Sequence, residues 1–146
     1  MERINVNDPK VLYHFTCSVN LSAIMQTGFI NLTASNYSID DLSLFPVVWL
    51  TSSPTPNNHG LSFNEKMPVE LNKTRIRFTI RNRPFIKQWD LWCEEKGMDR
   101  KTKQAMIETA FAENTYMNWY ISEQPISIAD DAICVENLET GQIREF

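Results

Sequence analysis

The stretch Val11-Leu12-Tyr13-His14-Phe15-Thr16 decides the fold prediction, because its β-branched and aromatic residues favour an opening β-strand. Ser18 follows two residues later and predicts the N-cap of a helix. Apolar residues at helical spacing begin in Leu21-Ser22-Ala23-Ile24, and Gly28 predicts the end of that helix. The chain is therefore predicted to open with a strand, a short helix and a glycine turn, which lead into Phe29-Ile30.

The rest of the chain mixes strands and helices without a regular alternation of the two. Residues 47–51 predict a second strand, and residues 75–80 predict a third, in which Arg, Arg and Thr alternate with Ile, Phe and Ile. Helices are predicted over 89–95 and 100–114, a loop over 31–46, and short strands over 118–122, 126–128, 133–137 and 142–145. Because a parallel sheet would need regular βαβ alternation, the predicted class is α+β, with a single domain over residues 1–146.

The composition excludes several kinds of site. The chain has 146 residues, with 14 Lys+Arg against 18 Asp+Glu, so its formal net charge is 14 − 18 = −4. Two His and the three cysteines Cys17, Cys93 and Cys134 are too few for a zinc cluster or a disulfide scaffold, so no metal site is predicted. Neither GxGxxG nor GxxxxGK[ST] occurs, which excludes the standard phosphate-binding loops.

Targeting signals are also absent from the sequence. Residues 1–10 are polar and contain no apolar core, so no secretory signal is predicted. The longest apolar stretch runs from Leu44 to Leu50 and is far shorter than the roughly 20 residues that span a bilayer. The scattered cysteines suit a reducing compartment, and we expect a cytoplasmic protein that does not associate with membranes.

His14 and Thr16 are the first candidate site residues. Side chains two positions apart on a strand share a face, so an imidazole and a hydroxyl lie about 6 to 7 Å apart there. Both groups donate and accept hydrogen bonds, as the binding of sugar hydroxyls requires. A strand histidine whose nitrogen is satisfied by a neighbouring carbonyl fits the same spacing.

Two further candidates lie near the ends of predicted strands. Trp49 and Thr51 share a face and lead into Ser52, so an aromatic ring and hydroxyls could hold a planar ligand; a core tryptophan is the alternative. Glu123 follows a predicted strand, where a carboxylate could accept from a ribose hydroxyl or stabilise positive charge at an anomeric carbon. A solvated loop glutamate is the alternative for Glu123.

Several weaker candidates remain. Arg75, Arg77 and Arg81 predict a basic strand face that could contact phosphate, although a solvated charged face is the commoner result. His59 in Asn57-Asn58-His59-Gly60 predicts a loop residue that could instead contact an acceptor.

The order of these short motifs resembles ADP-ribosyltransferase-fold proteins, which include DNA-modifying toxins and RNA 2′-phosphotransferases. Tyr13-His14-Phe15-Thr16 matches their "YH-x-T" strand, and Thr27-Gly28-Phe29-Ile30 matches the glycine turn after their short helix. Val48-Trp49-Leu50-Thr51 and the stretch 119–126 match the second strand and the late strand that carries the acidic residue. The resemblance implies split antiparallel sheets with short flanking helices around a cleft that binds NAD as a substrate, without a metal.

Each matching position carries an expected role. His14 would hydrogen-bond a ribose of NAD with help from Thr16, Trp49 would lie near the nicotinamide, and Thr51 and Ser52 would also contact the cofactor. Glu123 would orient the nicotinamide ribose or activate the acceptor. The expected activity is transfer of ADP-ribose to a nucleic acid or a protein with release of nicotinamide. The alternative is an inactive relative that binds a nucleotide or a protein, such as a phage-encoded inhibitor.

Overall fold

The chain forms an α+β structure in which strands predominate. The computed structural model describes residues 9–32, 46–55, 74–97, 99–101, 103–104 and 115–146. The described strands are β1 (Val11–Thr16), β2 (Phe29–Ile30), β3 (Val48–Thr51), β4 (Ile76–Arg81), β5 (Ile86–Gln88), β6 (Trp119–Ser122), β7 (Ile126–Ser127), β8 (Ala132–Asn137) and β9 (Ile143–Glu145). The described helices are α1 (Ser18–Thr27), α2 (Trp89–Glu95), α3 (Ile128–Asp131) and a 3₁₀ turn (Thr115–Asn118).

The described strands form two antiparallel sheets. Seven strands make the larger sheet in the order β5-β6-β3-β1-β4-β8-β9, and β2 pairs with β7 in the smaller one. Strand β1 lies near the centre and pairs with β4 along its whole length. The predicted α+β class is confirmed, and the antiparallel pairing explains why the sequence lacks regular βαβ alternation.

The opening strand, helix and turn form as the sequence predicts, with one correction. Ser18 was expected to be the N-cap, but Cys17 occupies that position and Ser18 is the first helical residue. Gly28 adopts the left-handed conformation, with φ at 79°, and its N–H donates to the carbonyl of Ile24 at 2.7 Å. Because a side chain is strained at this φ, glycine ends the helix at little cost and turns the chain into β2.

The core lies on one side of the larger sheet. We call this side the inner face; it carries Leu12, Phe78 and Ile80, each of which is completely buried. Apolar side chains from α1 and from the segments around the small sheet pack in the same core, and they are Ile24, Ile30, Ile126 and Ile128. The alternation predicted for residues 75–80 is confirmed, because the isoleucines and Phe78 face this core.

The opposite side of the sheet, the outer face, carries a tryptophan cluster where α2 packs on β6. The ring of Trp119 contacts that of Trp89 edge-on at a centroid distance of 5.0 Å and that of Trp49 at 6.0 Å. Trp92 is also buried in α2. The predicted helix over 89–95 is confirmed with the same bounds, and its tryptophans are what attach it to the sheet.

An ion pair between an exposed arginine and a buried aspartate ties the β4–β5 connection to α3. Arg83 Nε donates to the Asp131 carboxylate at 2.7 Å, and a terminal nitrogen of Arg83 donates to the Asp130 carbonyl. Asp131 is 7% exposed, so its charge is neutralised largely by this partner. The contact joins residues 48 positions apart in the chain and therefore holds the β4–β5 connection against α3.

The C-terminal segments differ from prediction at their boundaries. Asn118 belongs to the 3₁₀ turn and Ile128 begins α3, whereas both were predicted in strands. The last two strands form the expected hairpin, and Gly141 in its connection has φ at 78°. In the predicted helix over 100–114, residues 100–101 and 103–104 are helical and 105–114 lie outside the described residues.

Candidate functional site

His14 lies on the inner face, opposite Phe78 of β4. Its Nδ1 is 2.7 Å from the backbone carbonyl of Trp49. Since a carbonyl can only accept, Nδ1 carries the hydrogen, and this contact fixes the orientation of the ring. β1 and β3 have one registered residue pair, Tyr13 with Thr51. The His14 ring therefore hydrogen-bonds to a carbonyl of β3 that lies beyond this pair. The predicted alternative, a strand histidine satisfied by a carbonyl, describes this contact.

Thr16 also lies on the inner face, opposite Ile76, as the spacing predicts. It is 3% exposed, so its hydroxyl is nearly enclosed by the core. His14 is half-buried by comparison. Of the two residues predicted to assist each other, His14 is the one whose position leaves more surface for a ligand.

Trp49, Thr51 and Ser52 lie elsewhere. Trp49 and Thr51 are on the outer face, because Thr51 is paired with Tyr13 and alternation places Trp49 on the same side. The Thr51 hydroxyl accepts from the backbone N–H of Ser53 at 3.1 Å. The Ser52 hydroxyl donates to the side chain of Asn118 at 3.0 Å. The five residues predicted to contact the cofactor are therefore divided between the two faces of the sheet and do not form one cluster.

Glu123 follows the end of β6 and is held by one donor from α2 and one from the residue that caps its C-terminus. The indole N–H of Trp92 donates to Oε1 at 2.7 Å, and the ammonium group of Lys96 lies 3.3 Å from the same oxygen. The Trp92 hydrogen bond, with a further contribution from Lys96, outweighs the effect of burial and lowers the pKa of Glu123 below its ordinary value. Glu123 is therefore a carboxylate at neutral pH.

This carboxylate borders an open groove of about 600 Å³. The groove is lined by Pro84, Phe85, Lys87, Glu123 and Gln124, from the start of β5 and the end of β6. The Glu123 side chain is 45% exposed, so a ligand in the groove can reach it. Lys87 forms an ion pair with Glu95 at 2.8 Å, which holds its ammonium group beside the groove.

The sequence indicates Glu123 as a candidate but not the residues around it. Trp92 and Lys96 are four positions apart, which places them on one side of a helix and is a signal that could have paired them. No comparable local signal links α2 to Glu123, because the contact spans 31 positions of the chain. No sequence pattern marks Phe85 or Lys87 as residues that line a groove.

Glu123 follows β6 and His14 lies in β1, and β3 is the one strand between them in the sheet. Tyr13, Thr51 and Trp119 form one row across β1, β3 and β6. β1 and β6 are both antiparallel to β3 and so run in the same direction. His14 is one residue beyond this row on β1, and Glu123 is four residues beyond it on β6, so Glu123 lies three residues farther along. Two strand spacings and three residue rises put the two backbones about 14 Å apart. The side chains cannot contact one hydroxyl, and they also lie on different sides of the sheet, His14 on the inner face and Glu123 beside α2, which packs on the outer face.

The predicted basic face is largely neutralised. Arg75 lies 3.1 Å from the carboxylate of Glu139, and Arg77 lies 2.9 Å from that of Glu136. Arg77 also donates to the carbonyl of Pro54 at 2.6 Å. Arg81 donates to the carbonyl of Ala132. The glutamates offset the charges of Arg75 and Arg77, whereas the carbonyl that Arg81 contacts carries no opposite charge.

His59, the remaining predicted contact, lies outside the described residues.

The contribution of Glu123 to stability should depend on pH. Its pKa is lower in the folded protein, so the unfolded chain binds more protons as the pH falls below the ordinary value of 4.5. The stabilisation is therefore complete above about pH 4.5 and is lost as the pH falls through the folded pKa. We expect the difference in unfolding free energy between the wild type and Glu123→Gln to be constant from pH 6 to 8 and to shrink below pH 4.5, as measured by urea titrations; a constant difference throughout would contradict the contact with Trp92.

Comparisons with protein-family models, with curated proteins and with solved structures found no match to this chain. Among the residues that the structure describes, no helix combines the length and the apolar character needed to cross a bilayer.

Proposed function

We propose that the chain transfers ADP-ribose from NAD to a macromolecular acceptor and releases nicotinamide. The observation that carries the proposal is the Glu123 carboxylate, which is held in its ionised form at the edge of an open groove. The motif order that resembles ADP-ribosyltransferase-fold proteins supports the same reading, since Glu123 occupies the position of their acidic residue.

The chemistry requires a carboxylate of this kind. The glycosidic C–N bond of NAD breaks, nicotinamide leaves with the bonding electrons, and positive charge develops at the anomeric carbon. A fixed negative charge beside that carbon stabilises the transition state more than the ground state. Glu123 is ionised and partly exposed, and so could supply that charge without first losing a proton.

His14 would bind the other part of the same ligand. Its ring is fixed through Nδ1, so Nε2 is the nitrogen that would meet a ribose hydroxyl. The backbone separation of about 14 Å excludes a single sugar held by the two together, and a dinucleotide that touches both would have to extend past the ends of the strands, because His14 lies on the inner face and Glu123 lies beside α2 on the outer one. Trp49, Thr51 and Ser52 are not part of this proposal, because Trp49 packs on the ring of Trp119, Thr51 accepts from the N–H of Ser53 and Ser52 bonds to Asn118.

The acceptor is a protein or a nucleic acid. Arg75 and Arg77 would be the phosphate contacts of a nucleic acid, but both are paired with glutamates. A formal net charge of −4 also opposes a large nucleic-acid footprint. These charges favour a protein acceptor.

The test measures binding and turnover separately. NAD at about 100 times its Kd should stabilise the protein by about 2.7 kcal/mol, which a thermal shift would detect. Chromatography should find nicotinamide, and labelled NAD should mark a protein fraction of a lysate. His14→Ala should abolish the thermal shift and the nicotinamide, whereas Thr79→Ala, an outer-face control on β4, should retain both. No shift at millimolar NAD would refute the proposal.

A second candidate function is nucleotide binding without turnover. Two features of Glu123 favour it: the carboxylate already contacts Trp92 and Lys96, and its backbone lies about 14 Å from that of His14. A module of this kind would give the thermal shift with NAD but no nicotinamide. Loss of the shift in His14→Ala would then locate the nucleotide.

A further inference from the structure

Both donors that hold Glu123 contact the same carboxylate oxygen. Trp92 Nε1 lies 2.7 Å and Lys96 Nζ 3.3 Å from Oε1. Among the described residues, the side-chain hydrogen bond to this carboxylate goes to Oε1 and not to Oε2. Glu123 is also one of the residues that line the groove. One oxygen is therefore committed to the protein, and the other remains for a ligand.

The two donors differ in how firmly they are held. Trp92 is 2% exposed and sits in the part of α2 that packs on β6, so its indole ring cannot turn without disturbing the packing. Lys96 has a long side chain that is 32% exposed, although its backbone N–H donates to the Trp92 carbonyl at 3.0 Å. Trp92 is consequently the rigid support and Lys96 the adjustable one.

The charged groups near Glu123 come from two elements. Lys96 belongs to the end of α2, and Lys87 of β5 contributes a weaker attraction while paired with Glu95. Trp92 is neutral at every pH, so its hydrogen bond can be removed without changing the net charge of the site. A change at Trp92 therefore isolates the effect of geometry from that of charge.

We infer that Trp92 and Lys96 are positioning residues that hold Glu123 through Oε1, so that Oε2 faces the groove and accepts a hydrogen bond from a hydroxyl of the ligand. The groove then binds a hydroxyl-bearing ring with its apolar side against Phe85 and Pro84. Any part of this hydroxyl in a reaction rests on the proposed function. The orientation of the carboxylate does not.

Trp92→Phe removes the indole N–H and leaves a small cavity, so the test needs a control with the same loss of volume. Trp119→Phe is the matched control, because Trp119 is a buried tryptophan of the same cluster whose Nε1 has no hydrogen-bond partner among the described residues. Carbon-13 NMR of the Glu123 carboxyl in the protein without ligand should show a higher pKa in Trp92→Phe and an unchanged one in Trp119→Phe. Lys96→Met should raise the pKa less, because the Trp92 hydrogen bond is the larger cause.

Turnover supplies the second readout. In Trp92→Phe, kcat should fall about ten-fold with little change in KM, and the acid limb of the pH profile should move to higher pH. An unshifted Glu123 pKa in Trp92→Phe would overturn the inference whether or not the protein turns over NAD. A shifted pKa in a protein that releases no nicotinamide would keep the positioning role and reject the proposed reaction.

Discussion

Replacing Phe78 with alanine is expected to lower the free energy of unfolding by about 3 to 5 kcal/mol. Phe78 is completely buried on the inner face, where its ring stacks with Phe146 at a centroid distance of 6.4 Å and packs near that of His14 at 6.5 Å. Truncation removes the burial of the whole ring and leaves a cavity that its neighbours on central strands cannot close. Thermal or urea denaturation monitored by circular dichroism would measure the loss.

The same substitution at an exposed position is the control for Phe78. Phe29 of β2 is 45% exposed, so Phe29→Ala should cost about 1 kcal/mol or less. Equal losses for the two variants would mean that the centre of the sheet is not packed as described. Phe78→Ala should also weaken NAD binding, because it removes a ring beside His14.

Glu123→Gln is expected to reduce nicotinamide release by at least about 100-fold, since it removes the negative charge that would face the anomeric carbon. Glutamine has nearly the same shape, and its amide oxygen can accept from Trp92, so the fold should be retained. Release would be followed by chromatography over a range of NAD concentrations. The thermal shift with NAD should persist, because His14 and the groove remain.

The control for Glu123→Gln is Glu139→Gln, which removes a carboxylate that pairs with Arg75. Glu139 is 62% exposed and belongs to the β8–β9 connection, so its loss should leave release unchanged. Full activity in Glu123→Gln would reject the role of this carboxylate. A similar loss in both variants would point to a general effect of charge instead.

The elements that could be predicted from the sequence are those with local signals. Alternation in 75–80, the spacing in α1 and the glycine at its end act over a few residues, and they indicate β4 and α1 correctly. The sheet order and the pairing of β2 with β7 depend on contacts between distant segments. The pair between Arg83 and Asp131 is likewise a product of tertiary structure, since it spans 48 positions.

The candidate site follows the same division. Glu123 could be identified because it follows a strand, and His14 because it shares a face with Thr16. Strand alternation gives the relative face of residues within one strand, but the register between β1 and β3 decides that Trp49 and His14 lie on opposite faces of the sheet. Trp92 could not be connected to Glu123, because that connection exists only once α2 has docked on β6.

The shortness of α2 decides under which conditions Glu123 stays held in place. A helix of seven residues is not stable alone in water, so α2 persists because its tryptophans are packed on the sheet. If this helix opens locally, Glu123 loses Trp92 and Lys96 together and becomes an ordinary solvated carboxylate. Heating or mild denaturant would then abolish the proposed activity while β1 and β4 remain paired, and loss of that activity would report the detachment of one helix.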